Sequence, residues 1–202
     1  MQLYYAPNSR AVRVAWLLEE LELKYNVIKF SLGAKEMRED NYLSIHPMGR
    51  VPVLIDGNVK LFESGAIIQY ILSKYGNGKF IPNSNSPEFA QYLQWFHYAE
   101  GMIMPPMNSL VVETILLPPE RRTEINVKRA TKLLGQMLAV VNFNLTDKTF
   151  LVGHELTAAD FMTGHAVIMS SRLGIDISGM ANLPDYIARL ENRKAFQAAS
   201  AK

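Results

Sequence analysis

The chain has 202 residues, of which 49% are hydrophobic and 20% charged, with 21 basic against 19 acidic side chains and no cysteine. The length exceeds the ~100 to 150 residues of a typical single domain, and the charge is close to balanced on both sides of residue 80, so neither half carries the excess expected of a nucleic-acid or membrane-surface binder. Zero cysteines exclude disulfides, thiolate metal sites, a cysteine nucleophile and a Cys-x-x-Cys redox pair, so any chemistry must use other groups.

The first residues, Met1-Gln2-Leu3-Tyr4-Tyr5, show no basic region followed by an apolar stretch, and no run approaches the ~20 apolar residues of a membrane span. The expectation is a cytoplasmic protein with no membrane partner. Residues 2–5 read as a strand, stopped by the turn formers Pro7-Asn8-Ser9. From Arg10, a broad helical face is formed by Val12, Val14, Ala15, Trp16, Leu18 and Leu21, with Arg13, Glu19, Glu20 and Glu22 mostly off it and Ser9 as N-cap. Residues 25–30 read as a second strand, so the opening is a βαβ unit with a right-handed parallel pair. A weaker, charged helix is expected over residues 35–44. The Asp56-Gly57 dipeptide between two apolar runs, residues 51–55 and 58–62, is a strong hairpin signature. Glu63-Ser64-Gly65 then opens a helix with Ile67, Ile68, Ile71 and Leu72 on its apolar face, ending near Tyr75. Residues 1–76 thus form one α/β domain in the order β-α-β-α-β-β-α. The turn formers of residues 77–87 read as a linker. Over residues 88–202 the period is helical throughout and predicts an all-α bundle, with helices over 89–117 (interrupted by Pro105-Pro106), 120–144, 157–173, 184–192 and 194–199.

Several residues carry two readings. Pro52 cannot donate to a sheet ladder. It is either a strand-initial trans proline or a cis proline whose neighbour Val51 offers its backbone N–H and C=O to an extended, peptide-like ligand. Glu63-Ser64 is either a helix start with an acid that suits the dipole, or a site where Ser64 and the helix amides hold a carboxylate and Glu63 takes an ammonium, as an α-amino acid head group requires. Ser9 is a helix cap or a donor to a thiolate, with Tyr5 and Asn8 as competing donors. His46, His97, His154 and His165 have no helical i, i+3 or i, i+4 pairing, so no metal site is expected. Thr157-Ala158-Ala159-Asp160 before Phe161 is a capping box, with Leu156 as staple partner. Met102, Met104 and Met107 are adaptable core or a soft wall for varied apolar ligands.

These pieces in this order resemble a cytosolic glutathione S-transferase over essentially the whole chain. The residues that carry the resemblance are Ser9-Arg10-Ala11-Val12-Arg13, Pro47-Met48-Gly49-Arg50-Val51-Pro52-Val53-Leu54 with its hairpin, Glu63-Ser64, and Thr157-Ala158-Ala159-Asp160. Trp16-Leu17-Leu18-Glu19-Glu20-Leu21 looks most like a theta-like bacterial and fungal branch. The resemblance implies a thioredoxin-like N-terminal domain, an all-α C-terminal domain with a hydrophobic substrate site, and a homodimer whose two clefts lie at the domain boundary. It implies glutathione as co-substrate, no metal, and conjugation to electrophilic apolar small molecules in detoxification. By the same resemblance, Val51 before Pro52 pairs with the cysteinyl backbone of glutathione, and Glu63 and Ser64 hold its γ-glutamyl group. Arg50, where many members have lysine, faces the glycyl carboxylate; Asn8, a competing donor beside Ser9, is counted with the glutathione-binding residues. Glu100 falls where members place a polar residue that reaches the partner subunit's site. Ser9 falls near the activating hydroxyl of serine-type members, while Tyr5, two residues before Pro7, is similar to the tyrosine-type arrangement.

A thiol of pKa ~8.5 needs a shift of ~2 units, ~2.7 kcal/mol, to be mostly ionised at neutral pH. One charge-assisted hydrogen bond of ~1.5 to 3 kcal/mol and a helix N-terminus of up to ~2 cover that requirement. Two other functions share the fold: a glutathione-dependent peroxidase or disulfide reductase using two glutathiones, and a non-catalytic interaction protein. An intact Arg50, Val51, Pro52, Glu63 and Ser64 set argues against the latter.

Overall fold

The computed structural model describes residues 1–202 and divides them into two units, Met1–Phe80 together with Leu190–Lys202, and Ile81–Arg189. The first unit opens with β1 (Gln2–Tyr5), α1 (Ala11–Glu20) and β2 (Asn26–Lys29), continues through α2 (Asp40–Leu43), and closes its sheet with β3 (Val53–Asp56), β4 (Val59–Phe62) and α3 (Ser64–Tyr75). The strands lie in the order β2-β1-β3-β4. β1 and β2 are parallel, while β3 runs antiparallel to both β1 and β4. This is the expected β-α-β-α-β-β-α order and a thioredoxin-like domain. Residues 35–44, expected as one helix, are instead a 3₁₀ turn, Lys35–Arg38, and the single turn α2, because Glu39 between them is extended (φ −77°, ψ 149°).

The second unit contains α4 (Glu88–Tyr98), α5 (Met104–Val111), α6 (Glu124–Asn144) and α7 (His165–Arg172), followed by α8 (Leu183–Glu191) and α9 (Lys194–Ser200) at the chain end. Pro105-Pro106 does not break the first long helix. Prolines lack the amide that an α-helical turn needs, and the backbone widens into a π turn over Ala99–Ile103 before α5 takes the two prolines into its first turn. Helix α6 begins at Glu124 rather than at residue 120, since Pro119–Arg121 is a separate 3₁₀ turn. The carboxylate of Glu113 accepts the Thr123 N–H and the Asn126 amide, each at 2.7 Å, and so ties that start in place. The capping box holds α7's approach: the Asp160 carboxylate accepts from the Thr157 N–H (2.9 Å) and hydroxyl (3.1 Å), the Leu151 N–H (3.0 Å) and the Tyr186 hydroxyl (2.8 Å). Burial pushes this carboxyl upward from the ordinary range, and the four donors pull against it.

The last residues depart from the sequence reading, which gave all of 88–202 to the helical domain. Leu190–Lys202 groups with the first unit, and α9 packs on α1. Trp16 meets Phe196 edge to face at 5.0 Å, and Arg193 donates to Glu20 through Nη2 at 2.8 Å. The cause is on α1 itself, where every residue from Ala11 to Leu18 is buried, a wider face than a sheet alone can cover. No helix is long and apolar enough to cross a membrane.

Candidate functional site

The strand register gathers three loops at one end of the sheet. Tyr4 pairs with Val53, and Val53 pairs with Phe62, so the turn after β1, the segment entering β3 and the junction of β4 with α3 lie side by side. In sequence these are Pro7-Asn8-Ser9, Arg50-Val51-Pro52 and Glu63-Ser64. Both ladders of β3 stop at Val53, which leaves Val51 beyond any strand pairing. The Val51–Pro52 peptide is cis, the second of its two sequence readings.

The segment before Val51 is fixed from below. Gly49 closes a turn with the His46 carbonyl (2.8 Å) at φ 56°, and a side chain there would stand 2.1 Å from the Met37 carbonyl oxygen, so only glycine fits. His46 Nδ1 accepts the Met48 N–H at 3.1 Å, the Arg38 guanidinium donates to the Met48 carbonyl at 3.0 Å, and the Tyr42 hydroxyl donates to the Arg50 carbonyl at 2.6 Å. Burial is the largest influence on the His46 pKa and lowers it. The Arg50 side chain itself is exposed.

At the third loop Glu63 holds φ 73° and ψ 112°, a left-handed backbone that a non-glycine residue adopts only when its surroundings impose it. It puts the exposed Glu63 carboxylate immediately before α3, whose first residue, Ser64, is 2% exposed. Arg13 Nη1 donates to Ser64 Oγ at 3.3 Å, linking α1 to α3.

At the first loop Asn8 is exposed with φ 56°, a conformation asparagine tolerates. The Ser9 hydroxyl donates to the Ala6 carbonyl (2.7 Å) and accepts the Ala11 N–H (3.1 Å), so it caps α1 from one residue further out than the N-cap position, which Arg10 takes. Tyr5 stands apart from this group. Its hydroxyl is buried and donates to the Ala199 carbonyl of α9 at 2.8 Å, and burial raises its pKa. The hydroxyl that the sequence reading offered as a competing donor to a thiolate is thus hydrogen-bonded to the last helix.

The family profiles described as "Glutathione S-transferase, N-terminal domain" and "Glutathione S-transferase, C-terminal domain" match residues 1–73 and 104–194. Glutathione S-transferase F10 of Arabidopsis thaliana is 30% identical over 159 residues, which is 77% of this chain and 73% of the relative. The chain belongs to the glutathione S-transferase family. The Disulfide-bond oxidoreductase YfcG of Escherichia coli is 27% identical over 208 residues, 96% of this chain and 92% of that protein. A solved structure of a glutathione transferase homolog from Lodderomyces elongisporus, with two GSH per subunit, superposes with a TM-score of 0.88 at 25% identity, covering 99% of this chain and 97% of that one. The first profile thus falls on the thioredoxin-like unit and the second mostly on the helical one.

The helical unit of this transferase has its own cavity, about 650 Å³, lined in part by Met102, Val112, Glu113, Asn126, Arg129 and Met137. Of the three methionines expected as a substrate wall, only Met102 reaches it. Met104 and Met107 are 7% and 3% exposed and belong to the core. Glu100, half-buried, precedes Met102 in the same π turn. Sequence reasoning missed Arg13 and His46. Arg13 looked like a surface charge at the margin of α1, and nothing short of the packing of α1 against α3 reverses that. His46 had a findable signal, a histidine immediately before the Pro47 turn that shapes the loop to Val51.

Proposed function

We propose that this transferase binds glutathione at the end of its first unit, ionises the thiol, and conjugates it to electrophilic apolar small molecules. The observation that carries the reading is the convergence of Ser9, Val51 and Ser64 on one end of the sheet. The unpaired backbone of Val51 extends the sheet to the cysteinyl unit. Ser64 with the start of α3 takes the γ-glutamyl carboxylate, Glu63 the ammonium, and Arg50 the glycyl carboxylate. Asn8 borders the thiol. Glu100 reaches across to the partner's site in a homodimer, and Met102 contributes to the apolar wall of the helical unit.

Ser9, rather than Tyr5, activates the thiol, because Tyr5 is committed to Ala199. The Ser9 proton must leave the Ala6 carbonyl to reach the thiolate. Exchanging a neutral bond of ~0.5 to 1.5 kcal/mol for a charge-assisted one of ~1.5 to 3 leaves ~1 to 1.5 kcal/mol. That is about half of the ~2.7 kcal/mol required, and the N-terminus of α1, worth up to ~2, supplies the remainder. Neither contribution suffices alone.

A second reading is favoured by the likeness to YfcG. Bound glutathione thiolate attacks a disulfide and releases one thiolate, and a second glutathione resolves the mixed disulfide, giving oxidised glutathione and the other thiol. A panel of an aryl halide, a hydroperoxide and a mixed disulfide separates the two. For the binding itself, glutathione at 100 times its Kd stabilises the fold by ~2.7 kcal/mol, which raises the melting temperature by about 5 to 10 °C in a chain of this size. No shift with millimolar glutathione, together with no retention on immobilised glutathione, defeats both readings.

A further inference from the structure

Arg13 is fully buried, 0% exposed, in the first turn of α1. Arginine is almost never buried so completely unless it holds another group in place, because a guanidinium gives up strong hydration on leaving water. Here Nη1 donates to the hydroxyl oxygen of Ser64. A serine hydroxyl has one proton and two lone pairs. With a lone pair turned to Arg13, the proton is turned away from it and is available to donate. The guanidinium also places a full positive charge in the first turn of α1 and against the first residue of α3, adding to the positive ends of both helix dipoles.

We propose that Arg13 is a positioning residue for the α-carboxylate of the γ-glutamyl group. It fixes the Ser64 hydroxyl as a donor and makes this end of α3 select a carboxylate over a neutral isostere. The inference rests on the glutathione reading above. Because the charge is buried, salt screens its effect far less than that of an exposed cation.

The test compares S-methylglutathione with its analogue in which the glutamyl α-carboxylate is a primary amide, measuring both Kd values by calorimetry. The wild type prefers the carboxylate by about tenfold to a hundredfold, the range of a charge-assisted hydrogen bond shielded from water. In Arg13→Gln the preference falls to about threefold or less, and in Ser64→Ala the same Arg13 substitution removes little more, since the two act as one unit. A general loss of packing weakens both ligands equally and leaves their ratio alone. An Arg13→Gln protein that keeps the wild-type ratio therefore overturns the proposal and leaves the glutathione reading standing. A wild type that binds neither ligand overturns that reading instead. Should the Gln variant not fold, the wild type decides: a ratio held between about 0.05 and 0.5 M salt supports a buried cation, and a ratio lost over that range refutes it.

Discussion

Replacing Ser9 with alanine separates the two jobs of its hydroxyl. The oxygen accepts the Ala11 N–H at 3.1 Å and so supports the start of α1, while its proton rests on the Ala6 carbonyl until a thiolate takes it. Loss of the capping bond costs about 1 kcal/mol, a fall of roughly 2 to 4 °C in melting temperature. Loss of the donor removes the net ~1 to 1.5 kcal/mol of the exchanged hydrogen bond, which is about one pKa unit on the bound thiol. Turnover with an aryl halide then falls about tenfold at pH values below both pKa values and converges with the wild type above them. The checks are the pH profile of kcat/KM and the ultraviolet absorbance of the bound thiolate, in Ser9→Ala, Ser9→Thr and Asn8→Gly. The last removes the Asn8 amide without straining a backbone that already sits at φ 56°. An unchanged thiol pKa in Ser9→Ala refutes the reasoning. So does a shifted pKa in Asn8→Gly alone.

Tyr5→Phe leaves turnover within about twofold but strands the buried Ala199 carbonyl, costing ~1 to 3 kcal/mol in a thermal melt; a tenfold loss of turnover restores Tyr5 to the site. Gly49→Ala forces a Cβ to 2.1 Å from the Met37 oxygen at φ 56°, so it destabilises by about 2 kcal/mol or more and weakens glutathione binding through the loop to Val51; a variant that melts like the wild type contradicts this. The Asp56 carboxyl is held down to about 2, first by Lys74 and then by Tyr75, with Tyr70 adding a third donor. A lowered folded-state pKa stabilises above the unfolded value of ~3.9 and is lost as pH falls through the folded one. With Lys74 half exposed, solvent screening discounts the effect to about 1 kcal/mol, so Asp56→Asn melts roughly 2 to 4 °C lower at pH 7, and the gap closes between pH ~4 and ~2.

The parts of the fold legible in the sequence are those decided within a few residues. Two apolar runs around Asp56-Gly57 fix β3 and β4 without reference to anything distant, and the isoleucines of α3 repeat at helical spacing. Ser9, Val51, Glu63 and Ser64 were legible for the same reason, since each sits where a strand or helix starts or stops, and topology then carries them together. What escaped was decided at long range. The width of the apolar face on α1 shows that it needs a second cover but not that Phe196 provides it. The direction of the Tyr5 hydroxyl is set by Ala199, and no local pattern contains that information. Of the methionines around Pro105-Pro106, Met102 falls within the π turn and lines the cavity while Met104 and Met107 follow it in α5 and are buried, and a π turn shifts the helical phase that sequence reasoning assumes.

The absence of cysteine fits the chemistry of this site. The sheet end presents donors, the backbone of Val51, the hydroxyls of Ser9 and Ser64 and the start of two helices, rather than a nucleophile of the chain's own. Apart from the Glu63 carboxylate, which the proposed reading gives to the ammonium group, such a set favours anions, and on that reading glutathione brings three: two carboxylates and a thiolate. The two arginines divide the work by burial. On the proposed reading Arg50, exposed, steers a carboxylate in from solution, an effect that salt screens and that weighs little once the ligand is seated. Arg13, buried, attracts little at a distance, but its charge and its hydrogen bond to Ser64 persist where water is excluded. On the proposed reading Arg50 therefore bears on the rate of encounter and Arg13 on the selectivity of the bound state, and substitutions at the two arginines are expected to differ in their salt dependence before they differ in magnitude.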